Sequence, residues 1–303
     1  MACFAQGSRS SLSYIEEVTF GTTPVGNFQN IPFSTHSLNL TKDRVQGNDL
    51  IADRMPRVDR HGNKQVGGDI VVDLRADEYD DLLESVMMGV WATNVLKVGT
   101  TAKYFSIEDY AADIDQARLF TGCTISGMSV SLAPNQMVST TMTVVGKDMT
   151  ISAIEKTQTA SAGNTPFDSY SGDLKIGDVA SSTTSSIVTA VDFSIDNAFA
   201  PTFVIGSDTS ECLQFGRATI EGTFTAYFED EALVNRFLNE TETELEVSVD
   251  DPTGANLLTF LFPRIKINSA DVSVAGPESR MVECSFVALY DATEGSNLVI
   301  TRT

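Results

Sequence analysis

Two histidines, His36 and His61, are all that the 303-residue chain offers for imidazole chemistry. A zinc site or a nucleophilic relay needs a histidine with Cys, Asp or Glu at recognisable spacing, and neither has such neighbours. His61 stands between Arg60 and Gly62-Asn63, which predicts a solvent-facing turn. The cysteines at 3, 123, 212 and 284 are far apart and form no CxxC pair, so isolated thiols are expected rather than a disulfide framework. The sequence holds no GxSxG, GxxxxGK[ST] or GxGxxG. Asp250-Asp251-Pro252-Thr253-Gly254 is acidic but lacks the later glutamate of a calcium loop, and it predicts a hairpin turn. Carboxylate pairs such as Asp80-Asp81 and Glu16-Glu17 carry no specificity among 41 acids. The expectation is no catalytic residue, no metal and no cofactor: not an enzyme.

The charge distribution is more informative. The chain carries a formal net charge of -21, with 20 Lys and Arg against 41 Asp and Glu. Such acidity argues against gripping nucleic acid, whose phosphates it repels. It would equally suit a passage through which DNA slides without sticking. Yet TKDRVQGNDLIADRMPRVDRHGNK, residues 41–64, gathers Lys42, Arg44, Arg54, Arg57, Arg60 and Lys64 among Asp43, Asp49, Asp53 and Asp59. A polar stretch of alternating sign is usually a solvated loop. In an assembly it fixes register across an interface more than it adds affinity, and arginine forks suit bidentate contacts to carboxylates.

The elements that would carry such a loop occur twice. In DIVVDLRADEYDDLLESVM, residues 69–87, Ile70, Val72 and Leu74 alternate with polar residues, which is strand period. Asp77 then offers a helix cap before the apolar stripe of Leu82, Leu83, Val86 and Met87. In TIEGTFTAYFEDEALVNRFLNE, residues 219–240, Ile220, Phe224, Ala226 and Phe228 share a strand face. Asp230 can cap a helix carrying Leu233, Val234, Phe237 and Leu238. Downstream, SGMSVSLAPNQMVSTTMTVVGKD (126–148) and SADVSVAGPESRMVECSFVALYD (269–291) both read as strand, tight turn, strand. Val130 and Leu132 have counterparts in Val272 and Val274, and Met137-Val138 in Met281-Val282. Val138, Met142 and Val144 face one way and Ser139, Thr141 and Thr143 the other, giving one dry and one polar face. Upstream, SLNLT (37–41) matches DFSID (192–196), each followed by a polar stretch that reads as shorter in the second copy.

These patterns predict a mainly β protein with two similar domains and a short helix flanking each sheet unit. The expected organisation is an N-terminal arm, 1–29; a first domain, 30–150, with a long loop at 41–67; a linker or exposed loop, 151–186, with a short strand near 173–179; a second domain, 187–292; and a C-terminal arm, 293–303. No apolar run suits a signal peptide or a membrane span. Seventeen phenylalanines against one tryptophan point to core packing more than to a sugar-binding platform.

The opening SRSSLSYIEEVTFGTTP, then SLNLTKDRVQGNDLIADR, then HGNKQVGGDIVVDLR resemble the major tail tube proteins of long, non-contractile-tailed bacteriophages. The similarity runs through most of the chain and is densest over residues 8–90. It implies a β-sandwich-like tail tube fold and a virion subunit made and assembled in the host cytoplasm. Sheets would join around an axis into rings stacked as a tube, through which the genome passes without specific binding. The loop at 41–67 would reach a neighbouring subunit, with Arg44, Asp49, Asp53, Arg54, Arg57 and Arg60 making the contacts. Expected partners are further copies of the chain and the tape-measure, tail terminator and tail-tip proteins, with no membrane insertion. Two tube domains per chain would close a trimeric, pseudo-hexameric ring; one tube domain plus a decorating domain would give a hexameric ring. Outside the virus class, the alternative is a β-sandwich binding or adhesion module.

Overall fold

The computed structural model describes residues 4–49, 55, 57–185, 187–254, 256–274 and 276–303. The chain is mainly β. Its principal strands are β1 (Ser10–Glu16), β2 (Asn39–Gln46), β3 (Asp59–Asp73), β4 (Phe105–Ala111), β5 (Gln116–Leu132), β6 (Ser139–Gly146), β7 (Asp168–Asp178), β8 (Val188–Asp196), β9 (Thr219–Tyr227), β10 (Thr243–Asp250), β11 (Leu257–Ser273), β12 (Met281–Ala288) and β13 (Val299–Arg302). The described helices are short, α1 (Asp80–Met87) and α2 (Ala232–Leu238).

Two equivalent ladders organise these strands. In the first, β3 pairs with β2 on one side and β6 on the other, and β6 pairs with the C-terminal half of β5. In the second, β9 lies between β8 and β12, and β12 pairs with the C-terminal half of β11. The N-terminal halves of β5 and β11 leave these ladders for other partners, β4 then β1 in one case and β10 then β7 in the other. Both long strands change course at the same places. Register slips between Ile125 and Gly127 and between Ile267 and Ser269, and again opposite Phe105/Ile107 and Thr243/Leu245. Such bulges bend a strand and let it serve two sheets. The glycines correspond too. A Cβ on Gly68 would lie 2.6 Å from the Ser37 carbonyl oxygen, and one on Gly222 2.6 Å from that of Asp192.

The two ladders are joined edge to edge. β8 pairs with β9 on one side and with the C-terminal half of β5 on the other, from Val191↔Leu132 to Asp196↔Gly127. One antiparallel wall therefore runs β2, β3, β6, β5, β8, β9, β12, β11. Phe193 of β8 stands 5.1 Å from both Phe260 and Phe262, and Phe262 stands 5.6 Å from Phe286, so the junction is dry. Full burial of each ring is worth about 1.5–3 kcal/mol, which ties the two halves to one core.

The helices cover this core, though their caps differ. Leu82, Leu83, Val86 and Met87 of α1 are all buried, whereas on α2 Leu233 is buried and Leu238 is exposed. The Asp230 carboxylate accepts the Ala232 N–H at 2.8 Å from one residue ahead of the cap position, which falls on Glu231 and carries no side-chain cap bond. Asp77 does not cap α1. It takes a left-handed turn at φ 60, and the helix starts after Tyr79, whose hydroxyl donates to the Pro32 carbonyl at 2.7 Å. Tertiary anchoring of the tyrosine overrides the local signal.

The segments flanking the repeats supply strands. β1 pairs along β4 and buries Leu12 and Tyr14. Within 151–186, Phe167 is buried and β7 pairs with β10. β13 lies between β11 and Val95–Lys97, with Leu298 and Ile300 fully buried. Arg302 sits 4.4 Å over the Trp91 ring and is ion-paired with Asp80. The turn expected at 250–254 joins β10 to β11, with the Asp251 carboxylate accepting the Thr253 N–H at 2.9 Å. His61 is not in a turn: it lies in β3 opposite Arg44, because the β2–β3 ladder continues to Gln46↔Asp59.

Candidate functional site

The wall has one dry face and one polar face, and its register decides which side chains share the polar one. Asp69, Thr143, Gly127 and Asp196 fall in one row across β3, β6, β5 and β8. Val71, Thr141, Ser129 and Ser194 form the next, then Asp73, Ser139, Ser131 and Asp192. The rows continue into the second ladder, where Ser194 faces Glu221 and Asp192 faces Thr223, followed by Ser285 and Ser269, with Glu283 beside Asp271. Residues of the opposite parity, such as Ile70, Met142, Met128, Ile195 and Phe224, are buried. The dry and polar parities expected for β6 hold, with Val138, Met142 and Val144 buried and Ser139, Thr141 and Thr143 turned away from the core.

Chemically this face is a hydroxyl and carboxylate surface. Asp69, Asp73, Asp192, Asp196, Glu221, Asp271 and Glu283 contribute the negative charge; the Ser194–Glu221 row ends through Val287 on Lys266 of β11, whose ammonium is ion-paired with Glu240 at 2.5 Å. Neighbouring hydroxyls and carboxylates satisfy each other: Thr143 donates to Asp69 at 2.8 Å, and the Ser269 and Ser285 hydroxyls are 2.7 Å apart. A shallow concavity of about 510 Å³ follows the β5–β8–β9 junction and is lined by Ser129, Ser131, Thr141, Asp192 and Glu221. Val130, Phe193 and Phe286 line it as well, so the trough is of mixed character. Burial, with Asp271 and Glu283 nearby, pushes the Cys284 thiol up to about 11, and burial raises Cys123 as well. Neither thiol is a nucleophile at neutral pH. Among the described residues no group of His, Cys, Asp and Glu could hold a metal ion.

The polar segments between the first two strands of each ladder take different courses. In the first ladder β2 and β3 stay paired out to Gln46↔Asp59, so only 47–58 lies between them, whereas 197–218 separates β8 from β9, and the second segment is not the shorter loop the sequence suggested. In the first, β2 and β3 form an extended ladder whose described residues 42–49, 55 and 57–61 are exposed. Arg44 is ion-paired to Asp59 at 2.7 Å, Arg60 lies opposite Val45, and Asp49 and Arg57 are exposed beyond the ladder. Asp53 and Arg54 lie outside the described residues. An exposed pair like Arg44–Asp59 contributes at most about 1 kcal/mol, too little to justify the charge cluster as a stabiliser of the subunit.

The second segment folds back. Ala200–Thr202 pairs with Cys212–Gln214, Leu213 is buried, and the Asn197 side-chain amide donates to the Val86 carbonyl at the end of α1, 2.7 Å away. Its tip meets the base of the first hairpin: the Lys64 N–H donates to the Asp208 carbonyl at 2.8 Å, and the Lys64 ammonium lies 3.0 Å from Asp148 and 3.5 Å from Asp208. Nothing in local sequence signalled this docking, because it depends on β8 pairing with β5.

A family model described as phage tail tube protein matches residues 7–288, nearly the whole chain. The chain belongs to the phage tail tube protein family. No curated relative matches it. Phage tail tube proteins are structural components of the virion tail that self-assemble into a tube, and theirs is not an enzyme family. The subunit has a wall of paired strands. No described helix of this tail tube protein is long and apolar enough to cross a membrane.

Proposed function

We propose that the chain is the tube subunit of a long, non-contractile phage tail, and that its carboxylate-rich face lines the bore through which DNA leaves the virion. The observation that carries this reading is the continuous wall, dry on one face and lined with Asp69, Asp73, Asp192, Asp196, Glu221, Asp271 and Glu283 on the other. Carboxylates beside DNA repel its phosphates over a screening distance of about 8 Å at physiological salt. Serine and threonine hydroxyls keep the surface wet. Such a bore conducts DNA without holding it.

The two ladders are read as two tube domains in one polypeptide, so three chains close a ring of pseudo-sixfold symmetry. Ring closure removes the open edges that β2 and β11 leave on a single subunit, as barrel closure does. The hairpin around 41–67 is read as the inter-subunit contact, with Arg44, Asp49, Asp53, Arg54, Arg57 and Arg60 meeting carboxylates of adjacent copies. Tape-measure, terminator and tail-tip proteins would complete the tail, assembled in the host cytoplasm. Negative-stain electron microscopy of the purified protein tests this: stacked rings with three chains each are expected. A protein that stays monomeric across wide ranges of concentration and salt overturns it.

A further inference from the structure

The junction between the two ladders is a template for a contact that a single chain leaves unmade. β8 and the C-terminal half of β5 meet edge to edge inside the chain. Their equivalents, residues 36–41 and the C-terminal half of β11, sit at opposite ends of the wall with one side unpaired. Equivalence is fixed by common partners. His36 opposite Ile70 matches Val191 opposite Phe224, since Ile70 opposite Met142 matches Phe224 opposite Cys284. Likewise Met128 opposite Met142 matches Ala270 opposite Cys284.

We propose that the Ala270–Val274 edge of one chain pairs antiparallel with the His36–Leu40 edge of a second copy, in the register Leu40↔Ala270, Asn39↔Asp271, Leu38↔Val272, Ser37↔Ser273 and His36↔Val274. This transfers the internal rungs Ile195↔Met128, Ser194↔Ser129, Phe193↔Val130, Asp192↔Ser131 and Val191↔Leu132. It rests on the ring reading above and deepens it by naming the rungs.

Three observations support the transfer. Backbone parity agrees: the Ser37 N–H donates to Asp69 within its own ladder, so Leu38 turns its polar groups outward, and the Asn197 N–H donates to Ser126, putting Phe193 in the same phase toward β5. The outward Leu38 carbonyl is met only weakly, by the Arg118 guanidinium at 3.4 Å. Burial points the same way. Met128 and Val130 at the made junction are 2% and 1% exposed, while Val274 on the open edge is 69% exposed and Ala270 and Val272 are half-buried. Finally, the proposed rung Asn39↔Asp271 sets an amide against a carboxylate, where like charges would oppose pairing. The Leu40↔Ala270 rung is the last and departs from its template: a Cβ on Gly127 would lie 2.8 Å from the Ile195 carbonyl oxygen, and Ser269, the equivalent of Gly127, carries one, so the Leu40 carbonyl must stand back from the position Ile195 takes.

In a background with Cys3 and Cys212 replaced by serine, Asn39→Cys/Asp271→Cys is the test. This rung is a non-hydrogen-bonded pair, whose Cα separation of about 4.5 Å suits a disulfide. Assembled tubes oxidised mildly and run without reductant are expected to give linked chains ending at a trimer. Asn39→Cys/Ser273→Cys, two residues out of register, is expected to link at least tenfold less. Ser129→Cys/Ser194→Cys checks the template and is expected to close within one chain. Tubes that form but link equally or better out of register overturn the rungs while leaving the ring reading intact. Failure of the unsubstituted protein to form rings overturns both.

Discussion

Gly222 lies where β8, β9 and β12 run side by side. A Cβ there would stand 2.5 Å from the Phe286 Cζ, 2.6 Å from the Asp192 carbonyl oxygen and 2.8 Å from the Phe286 Cε1. An ordinary contact needs about 3.4 Å or more, so each neighbour would have to retreat by more than half an ångström. Phe286 is 1% exposed and packed on Phe224 and Phe262. Asp192 is held by β9 on one side and β5 on the other. Neither can yield without disturbing the wall. Gly222→Ala is therefore expected to cost roughly 1–3 kcal/mol as overpacking, although alanine ordinarily suits a strand better than glycine. For a chain of this size that corresponds to a fall in Tm of about 2–12 °C. Thermal unfolding of dilute, unassembled protein, followed by circular dichroism, reads the effect. Wall formation should suffer too, because the β8–β5 junction moves with Asp192. An unchanged or raised Tm would refute the claim that this position is closed to a methyl group.

Replacing Arg54, Arg57 and Arg60 with alanine is expected to shorten or abolish tubes while shifting monomer stability by no more than about 0.5 kcal/mol; tubes of normal length in electron micrographs would show that the hairpin is only solvated. The triple change Asp192→Lys, Glu221→Lys and Asp271→Lys is expected to make assembled tubes retain DNA at low salt and release it as salt rises, with a log–log slope of about -0.7 to -0.9 per phosphate contacted. Filter retention measures this, and DNA binding no different from the unsubstituted tubes would argue against a bore lined by this face. Burial would raise the Asp109 carboxyl, but hydrogen bonds from His36 and Arg118 more than offset it and hold it below the usual carboxylate range. The folded value lies below the unfolded one, so the stabilisation is full above the ordinary range near pH 4 and is lost as pH falls through the folded value. Asp109→Asn should therefore destabilise at pH 7 by about 1.5–3 kcal/mol, and the gap to wild type should narrow in acid. A gap independent of pH in denaturant titrations would exclude that linkage.

Much of this protein is legible in its sequence alone. Alternation of Ile70 and Val72, and of Ile220, Phe224 and Ala226, sets strand faces because successive side chains point to opposite sides. The stripe on Leu82, Leu83, Val86 and Met87 sets a helix by the same geometric argument at its own period. The absence of catalytic motifs and the charge balance are properties of composition, and family membership follows from residue order. Local signals failed where distant contacts set the local geometry, as with Asp77, displaced by the anchoring of Tyr79, and His61, carried into a ladder that outruns the expected turn.

What tertiary structure alone decided is which polar residues share a face and which edges are spent. Alternation cannot tell the two sides of a sheet apart, nor say that Ser129, Asp192 and Glu221, far apart in the chain, stand along one trough. That follows from the β8–β5 pairing, whose hydrogen bonds join backbones without regard to side-chain identity and so leave little trace in the sequence. The same pairing leaves His36–Leu40 and Ala270–Val274 open at the ends of the wall, because backbone groups spent on one neighbour are closed to a second.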